Sequence, residues 1–141
     1  MHNRYCLTSA EAQMIVAGCK AFATNNEWSI SIAVVDEGGF LIHLERLDGA
    51  VLQSPDIAML KARTAAICRT PTKALEEVVK DRPATATFPG RLPVQGGVPI
   101  IFHGQCIGGI GVSGAKSHED ELVALAGLNH FEKNNATSTD A

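Results

Sequence analysis

An α+β fold, one antiparallel sheet with helices packed on its faces, is predicted by three features of the sequence. Two stretches alternate apolar with small or polar residues at period two, and each turns back on itself near glycine to make a hairpin. Helical signals come before, between and after these hairpins, in the order α-β-β-α-α-β-β-α, and do not alternate with single strands as a parallel sheet requires. The chain has 141 residues, 45% of them hydrophobic, which suits one core burying roughly 70% of the extended surface and is too short for two domains.

The first helix is predicted from about Ser9 to Thr24. Thr8 and Glu11 have capping-box spacing, and Ala12, Ile15, Val16, Cys19, Phe22 and Ala23 recur on one helical face. In Ser29 to Val35, Ile30, Ile32 and Val34 alternate with smaller residues. Asp36-Glu37-Gly38-Gly39 then turns the chain into Phe40, Ile42 and Leu44, and Arg46-Leu47-Asp48-Gly49 closes the hairpin. Ser54-Pro55 reads as a cap and an N1 proline for an alanine-rich helix to Cys68, and Thr70-Pro71 opens a shorter helix carrying Leu75, Val78 and Val79.

Three prolines and three glycines interrupt any period from Asp81 to Gly97, a segment long enough to be a lid or rim. Val98 to His103 and Cys106 to Ser113 form the second hairpin, with a predicted turn at Gly104-Gln105. Glycines at 108, 109, 111 and 114 leave its last strand nearly bare, an invitation for something to lie close. Ser117 is the predicted cap of a final helix with Asp120 at N3, and Leu122, Leu125, Ala126 and Phe131 build its apolar side. One domain over residues 1–133 and a polar, disordered tail over residues 134–141 are expected, with the two hairpins neighbouring in the centre of the sheet.

Twelve Lys and Arg against fifteen Asp and Glu give a net charge of −3, so no basic field points to nucleic acid or an anionic membrane surface. The N-terminal residues Met1-His2-Asn3-Arg4-Tyr5-Cys6 lack a secretory apolar region, and no stretch reaches about 18 uninterrupted apolar residues, so a cytoplasmic protein is expected. Cys6, Cys19, Cys68 and Cys106 have no metal or redox spacing and read as reduced core residues.

Gly109-Ile110-Gly111-Val112-Ser113-Gly114 satisfies G-x-G-x-x-G, but no second parallel strand or acidic ribose-binding residue follows, which argues against a dinucleotide site. Ser113 in Gly-Val-Ser-Gly-Ala approaches a nucleophile elbow, but the chain after it offers only His118 and His130 in one helical region. His43 and His103 are imidazoles suited to a metal or haem iron, without a second ligand at motif spacing. Lys61 is the most informative residue. It shares a helical stripe with Ile57, Ala65 and Cys68, so its ammonium starts on a small apolar face, aimed at a pocket unless it reaches out to solvent. Arg46 at the end of the first hairpin has bidentate geometry for a carboxylate, whereas Asp36 and Asp120 fit turn and cap roles.

Five stretches in this order resemble the GlcG/HbpS-like family: Ile32-Ala33-Val34-Val35-Asp36-Glu37-Gly38-Gly39, Arg46-Leu47-Asp48-Gly49-Ala50, Ala58 through Lys61-Ala62-Arg63-Thr64-Ala65, Gly96-Gly97-Val98-Pro99-Ile100, and Gly108 through Gly114 with Asp120. The resemblance covers roughly Leu7 to Leu128 and implies a profilin-like domain that assembles into homo-oligomers. Family members include haem-binding and haem-degrading proteins, domains of corrinoid enzymes, and lyases acting on hydroxylaminobenzoate.

Two functional expectations follow. The first is a metal-independent lyase that converts a carboxylated aromatic hydroxylamine to a catechol and ammonium without a cofactor. Lys61 and Asp120 are its candidate catalytic residues, Arg46, Gly97, Gly111 and Ser113 its candidate substrate contacts, and the Asp81–Gly97 segment its water-excluding rim. The alternative is a haem-binding or haem-degrading module in which His43 or His103 ligates iron and the glycine strand admits the macrocycle.

Overall fold

The structure is a computed structural model that describes residues 1–139, with side chains described to residue 135. The element order is α1 (Ser9–Asn25), β1 (Ser31–Asp36), β2 (Leu41–Arg46), α2 (Ser54–Cys68), α3 (Thr72–Asp81), a short 3-10 helix (Pro83–Thr87), β3 (Gly97–Phe102), β4 (Gln105–Ser113) and α4 (Ser117–Thr139). The predicted order is therefore the observed one. All strand pairs are antiparallel in the order β2-β1-β4-β3, so the two hairpins meet at β1 and β4 in the middle of the sheet.

Local sequence explains most boundaries. The Thr8 hydroxyl accepts from the Glu11 amide at 3.3 Å while the Glu11 carboxylate accepts from the Thr8 amide at 2.8 Å, the reciprocal capping box that starts α1. Asp36 accepts from the amides of Gly38 and Phe40, both at 2.9 Å, and so builds the first hairpin turn. Four details differ from the sequence prediction, two of them small: α3 starts at Thr72 with Pro71 rather than Thr70 at its N-cap, and Ser117 is the first residue of α4 rather than its cap. Ser54 begins α2 without capping it, because its hydroxyl donates to the Val51 carbonyl at 2.6 Å and bonds Ser31 at 2.8 Å. The second hairpin turns at His103-Gly104, with φ of 47° and 75°, one residue earlier than predicted; two positive φ values match the right-handed twist of the flanking strands.

Pleating divides the interior in two. Ile32 and Val34 of β1, with Val98, Ile100, Ile110 and Val112 from the second hairpin, face α1 and α4 in a large aliphatic core. Ala33 and Val35 face the other way, against Ala58, Ala62 and Ala66 of α2. Burial of each large aliphatic side chain stabilises the fold by about 1.5–3 kcal/mol, so most of this contribution lies on the α1/α4 side. Helix α4 continues to Thr139, through much of the segment set apart as a tail; Asp140 and Ala141 lie outside the described residues.

All four cysteines are free, but only Cys19 is a core residue. Cys6 is exposed, Cys68 and Cys106 are half-buried, and burial pushes the Cys19 thiol up to about 12. Among the described residues, no helix is long and apolar enough to cross a membrane.

Candidate functional site

Lys61 does point inward, as its apolar stripe predicts. Only 2% of the residue is exposed. Its ammonium donates to Asp120 Oδ2 and to the Val112 carbonyl, each at 3.0 Å. Asp120 is equally buried, and its other oxygen accepts from the Ala115 amide at 3.0 Å. One carboxylate thus ties the start of α4 both to the chain before it and to the middle of α2. Burial raises the Asp120 carboxyl above its ordinary range, opposed by the Lys61 charge and by the hydrogen bonds from Lys61 and Ala115. Gly96, at φ +131°, passes over the ammonium so closely that a Cβ there would lie 2.7 Å from Nζ. Two of the predicted site residues are therefore brought together, but into a closed clamp.

The glycine strand has a partner as well. A Cβ on Gly97 would strike the Lys61 carbonyl, one on Gly109 the Ala62 carbonyl, and one on Gly111 the Ala58 carbonyl. Helix α2 lies on this bare backbone, with Ala58, Ala62 and Ala66 at the contact. The seam predicted to receive a substrate or macrocycle is thus filled by the protein's own helix. The absence of side chains on β4 sets how near the helix can come.

The remaining predicted contacts are dispersed. Ser113 is buried at the end of β4, opposite Ser31, whose hydroxyl bonds Ser54. Arg46 is exposed at the end of edge strand β2, two strands away from Val112. His43 pairs with Val34, so the register puts it half-buried on the α1/α4 side. His103 sits in the β3–β4 turn with its ring stacked on Tyr5, centroids 5.4 Å apart.

An open site lies where α2 stops covering the sheet. The helix rests mainly on β4 and β1, and beside it a groove of about 470 Å³ runs between Asp56, Met59, Leu60 and Arg63 on one wall and Val35, Gly39 and Leu41 on the other. Its lining is mainly aliphatic, with a thioether and a guanidinium on the helical wall. Gly39 lets the Arg63 stem cross the hairpin turn, since a Cβ there would meet Arg63 Cγ at 2.7 Å. On the other side of Arg63 comes Gly90 of the proline-rich segment, which is pinned to α2 because the Leu92 amide donates to Thr64 at 2.8 Å. The segment expected to be a rim therefore reaches Arg63, although none of its residues lines the groove.

Sequence reasoning missed Met59 and Arg63 as site residues, although a signal existed. Positions 56, 59, 60 and 63 recur at helical spacing next to the stripe that carries Lys61, and mark a second face of α2 with a donor sulfur and a cation.

Comparison with known proteins gives a consistent result. The family model described as haem-degrading protein HbpS-like matches residues 7–129. Protein GlcG of Escherichia coli strain K12 is 42% identical over 114 residues, covering 80% of this chain and 85% of GlcG. The crystal structure of a double mutant of Streptomyces reticuli HbpS superposes with a TM-score of 0.87 at 35% identity, covering 92% of this chain and 89% of that one. A PduOC–haem complex shares the fold, with a TM-score of 0.83 at 23% identity over 89% of this chain and 95% of that chain.

Proposed function

The chain belongs to the HbpS-like family, and from that premise we propose that it binds haem. The observation that carries the proposal is the groove beside α2. A macrocycle with carboxylate side chains is served by an apolar slot, a side chain with a free lone pair and a cation at the rim. Val35, Leu41 and Leu60 supply the slot, Met59 the sulfur and Arg63 the guanidinium.

Bound haem would bring redox-active iron to this surface. The chain's own contribution is to hold and orient it. The aliphatic walls exclude water from the ring faces, Arg63 pairs with a carboxylate, and the Gly90 segment limits how far the group slides along α2. His43 and His103, the imidazoles singled out in the sequence, lie outside the groove lining and are the competing iron ligands within the proposal. A homo-oligomer belongs to the same reading, supported by the exposure of Phe40, Leu41, Val51 and Leu52 around the β1–β2 turn and the segment before α2.

Titration of the purified chain with haem, followed at the Soret band, tests the proposal. Saturable binding at one haem per chain is expected, weakened at least tenfold in Arg63→Ala and shifted spectrally in Met59→Leu. Loss of the Soret change in His43→Ala or His103→Ala alone would move the iron to that imidazole. No saturable change in the parent protein overturns haem binding altogether. The lyase expectation draws no support from the relatives, and its candidate acid and cation form the closed clamp. Incubation of the metal-stripped protein with 4-hydroxylaminobenzoate is expected to release no ammonium above the buffer blank, and release above it would restore the lyase.

A further inference from the structure

A second cleft lies at the opposite end of α2 from its first turn. It has about 470 Å³ of free volume between the N-terminal segment, the end of α2 and the β3–β4 turn. Its chemistry is unlike that of the groove. His2, Arg4 and Arg69 line it together with Tyr5, Gly104 and Gln105, and no carboxylate does. Among the described residues neither guanidinium takes part in an ion pair. Arg4 and Arg69 are both exposed residues lining one cavity, so water screens their mutual repulsion and an anion bound between them would remove what remains.

The walls are held in place. The Tyr5 amide donates to Gln105 Oε1 at 3.3 Å, and the Tyr5 ring meets Phe102 edge-on with centroids 4.9 Å apart. Phe102 in turn packs against Phe131 of the main core. Arg69 occupies the C-cap of α2 in the left-handed conformation, φ 53° and ψ 38°, with its amide bonded to Ala65 and Ala66. Glycine is the residue that suits this position. Arg69 is one of three described non-glycine residues with positive φ, with Glu27 and His103, and it lines this cationic cavity.

We infer that this cleft binds a small, multiply charged oxyanion, a phosphate or a dicarboxylate, clamped between Arg4 and Arg69. Guanidinium forks suit such groups, and the His2 imidazole in the same lining adds a further donor. The site lies on different residues from the groove beside α2.

Calorimetry and thermal unfolding of the haem-free 141-residue chain with inorganic phosphate, and separately with succinate, test the inference. Saturable binding and a rise in Tm are expected with at least one of the two, beyond the effect of sodium chloride at equal ionic strength, and the stronger of the two identifies the anion's source. Arg4→Gln should weaken binding at least tenfold. Arg69→Gly is the more telling variant, because it should raise the Tm of the anion-free protein while abolishing the anion-dependent rise. A merely structural arginine would change the first quantity and leave the second intact. Equal anion binding in parent, Arg4→Gln and Arg69→Gly overturns the inference, as does a response reproduced by chloride. A loss of haem affinity in Arg4→Gln with no phosphate or succinate binding in the parent would also overturn it, by making the cleft part of the haem site.

Discussion

One helix makes both the sealed seam and the open groove, and the contrast shows where binding surfaces arise on this fold. Along the face of α2 carrying Ala58, Ala62 and Ala66, small residues meet a strand of glycines, and the two backbones come into contact. A quarter-turn away, Met59, Leu60 and Arg63 are too large to enter such a seam and overhang edge strand β2 instead. Bare backbone is thus covered first by the element best able to approach it, and free volume remains where side chains prevent that approach. A glycine-rich strand marks close packing, and the proposed site lies beside it.

The contrast is broken most severely by removing half of the clamp beneath the seam. Lys61→Met leaves the Asp120 carboxylate buried without its cation, at a cost of about 3–5 kcal/mol. Urea unfolding should report a loss of that size, with part of it recovered in the double variant Lys61→Met/Asp120→Asn. A loss below about 1 kcal/mol, the range of exposed pairs, would show that the clamp opens to water in solution. Next in size is Gly111→Ala. Its methyl group would meet the Ala58 carbonyl and the Ala62 amide, main-chain atoms without rotamers to yield. Overpacking of this kind costs about 1–3 kcal/mol, and an unchanged unfolding midpoint would mean that α2 does not rest on β4.

These two sites also show how much was legible in the sequence. The hairpins, the Thr8–Glu11 capping box and the span of α2 depend on residues within a few positions of one another, and the sequence predicts them closely. Lys61 was legible as inward-facing because its stripe on α2 is small and apolar. Its partner was not, since Asp120 lies 59 positions along the chain and reads locally as a helix-start carboxylate, a role it also plays through the Ala115 amide. The occupant of the glycine strand was equally hidden. Missing side chains predict close approach, but helix backbone and a flat ligand fit the same pattern. The turn at His103 escaped because a non-glycine residue with positive φ carries no reliable composition signal.

A smaller effect concerns pH. Burial raises the Asp120 carboxyl from its ordinary 3.8, so the folded state holds this proton more tightly than the unfolded chain does. The stability contributed by this group is complete below the unfolded value and is lost as pH rises through the raised folded value. The stability difference between the parent and Asp120→Asn, measured by urea unfolding from pH 3.5 to 7, should therefore narrow toward neutral pH. If it widens instead, attraction from Lys61 and the Ala115 amide outweighs desolvation, and the clamp behaves as an acid-sensitive ion pair.

The smallest expected change in stability is also the sharpest test of the contrast. Met59 and Arg63 are only half-buried and neither takes part in the clamp; Met59 packs on the margin of the alanine cluster, and Arg63 lies outside it. A volume-conserving Met59→Leu costs less than about 1.5 kcal/mol and a half-buried Arg63→Ala about 0.5 kcal/mol, so both should unfold near the parent midpoint while haem affinity falls at least tenfold in Arg63→Ala. Lys61→Met should do the reverse at a temperature where it remains folded, losing stability and keeping haem affinity within about twofold, because its ammonium is spent on Asp120 and Val112. If instead Lys61→Met loses haem while Arg63→Ala retains it, the binding surface lies under α2 and the seam must open to admit it. That result would reverse the assignment of roles to the two faces of the helix.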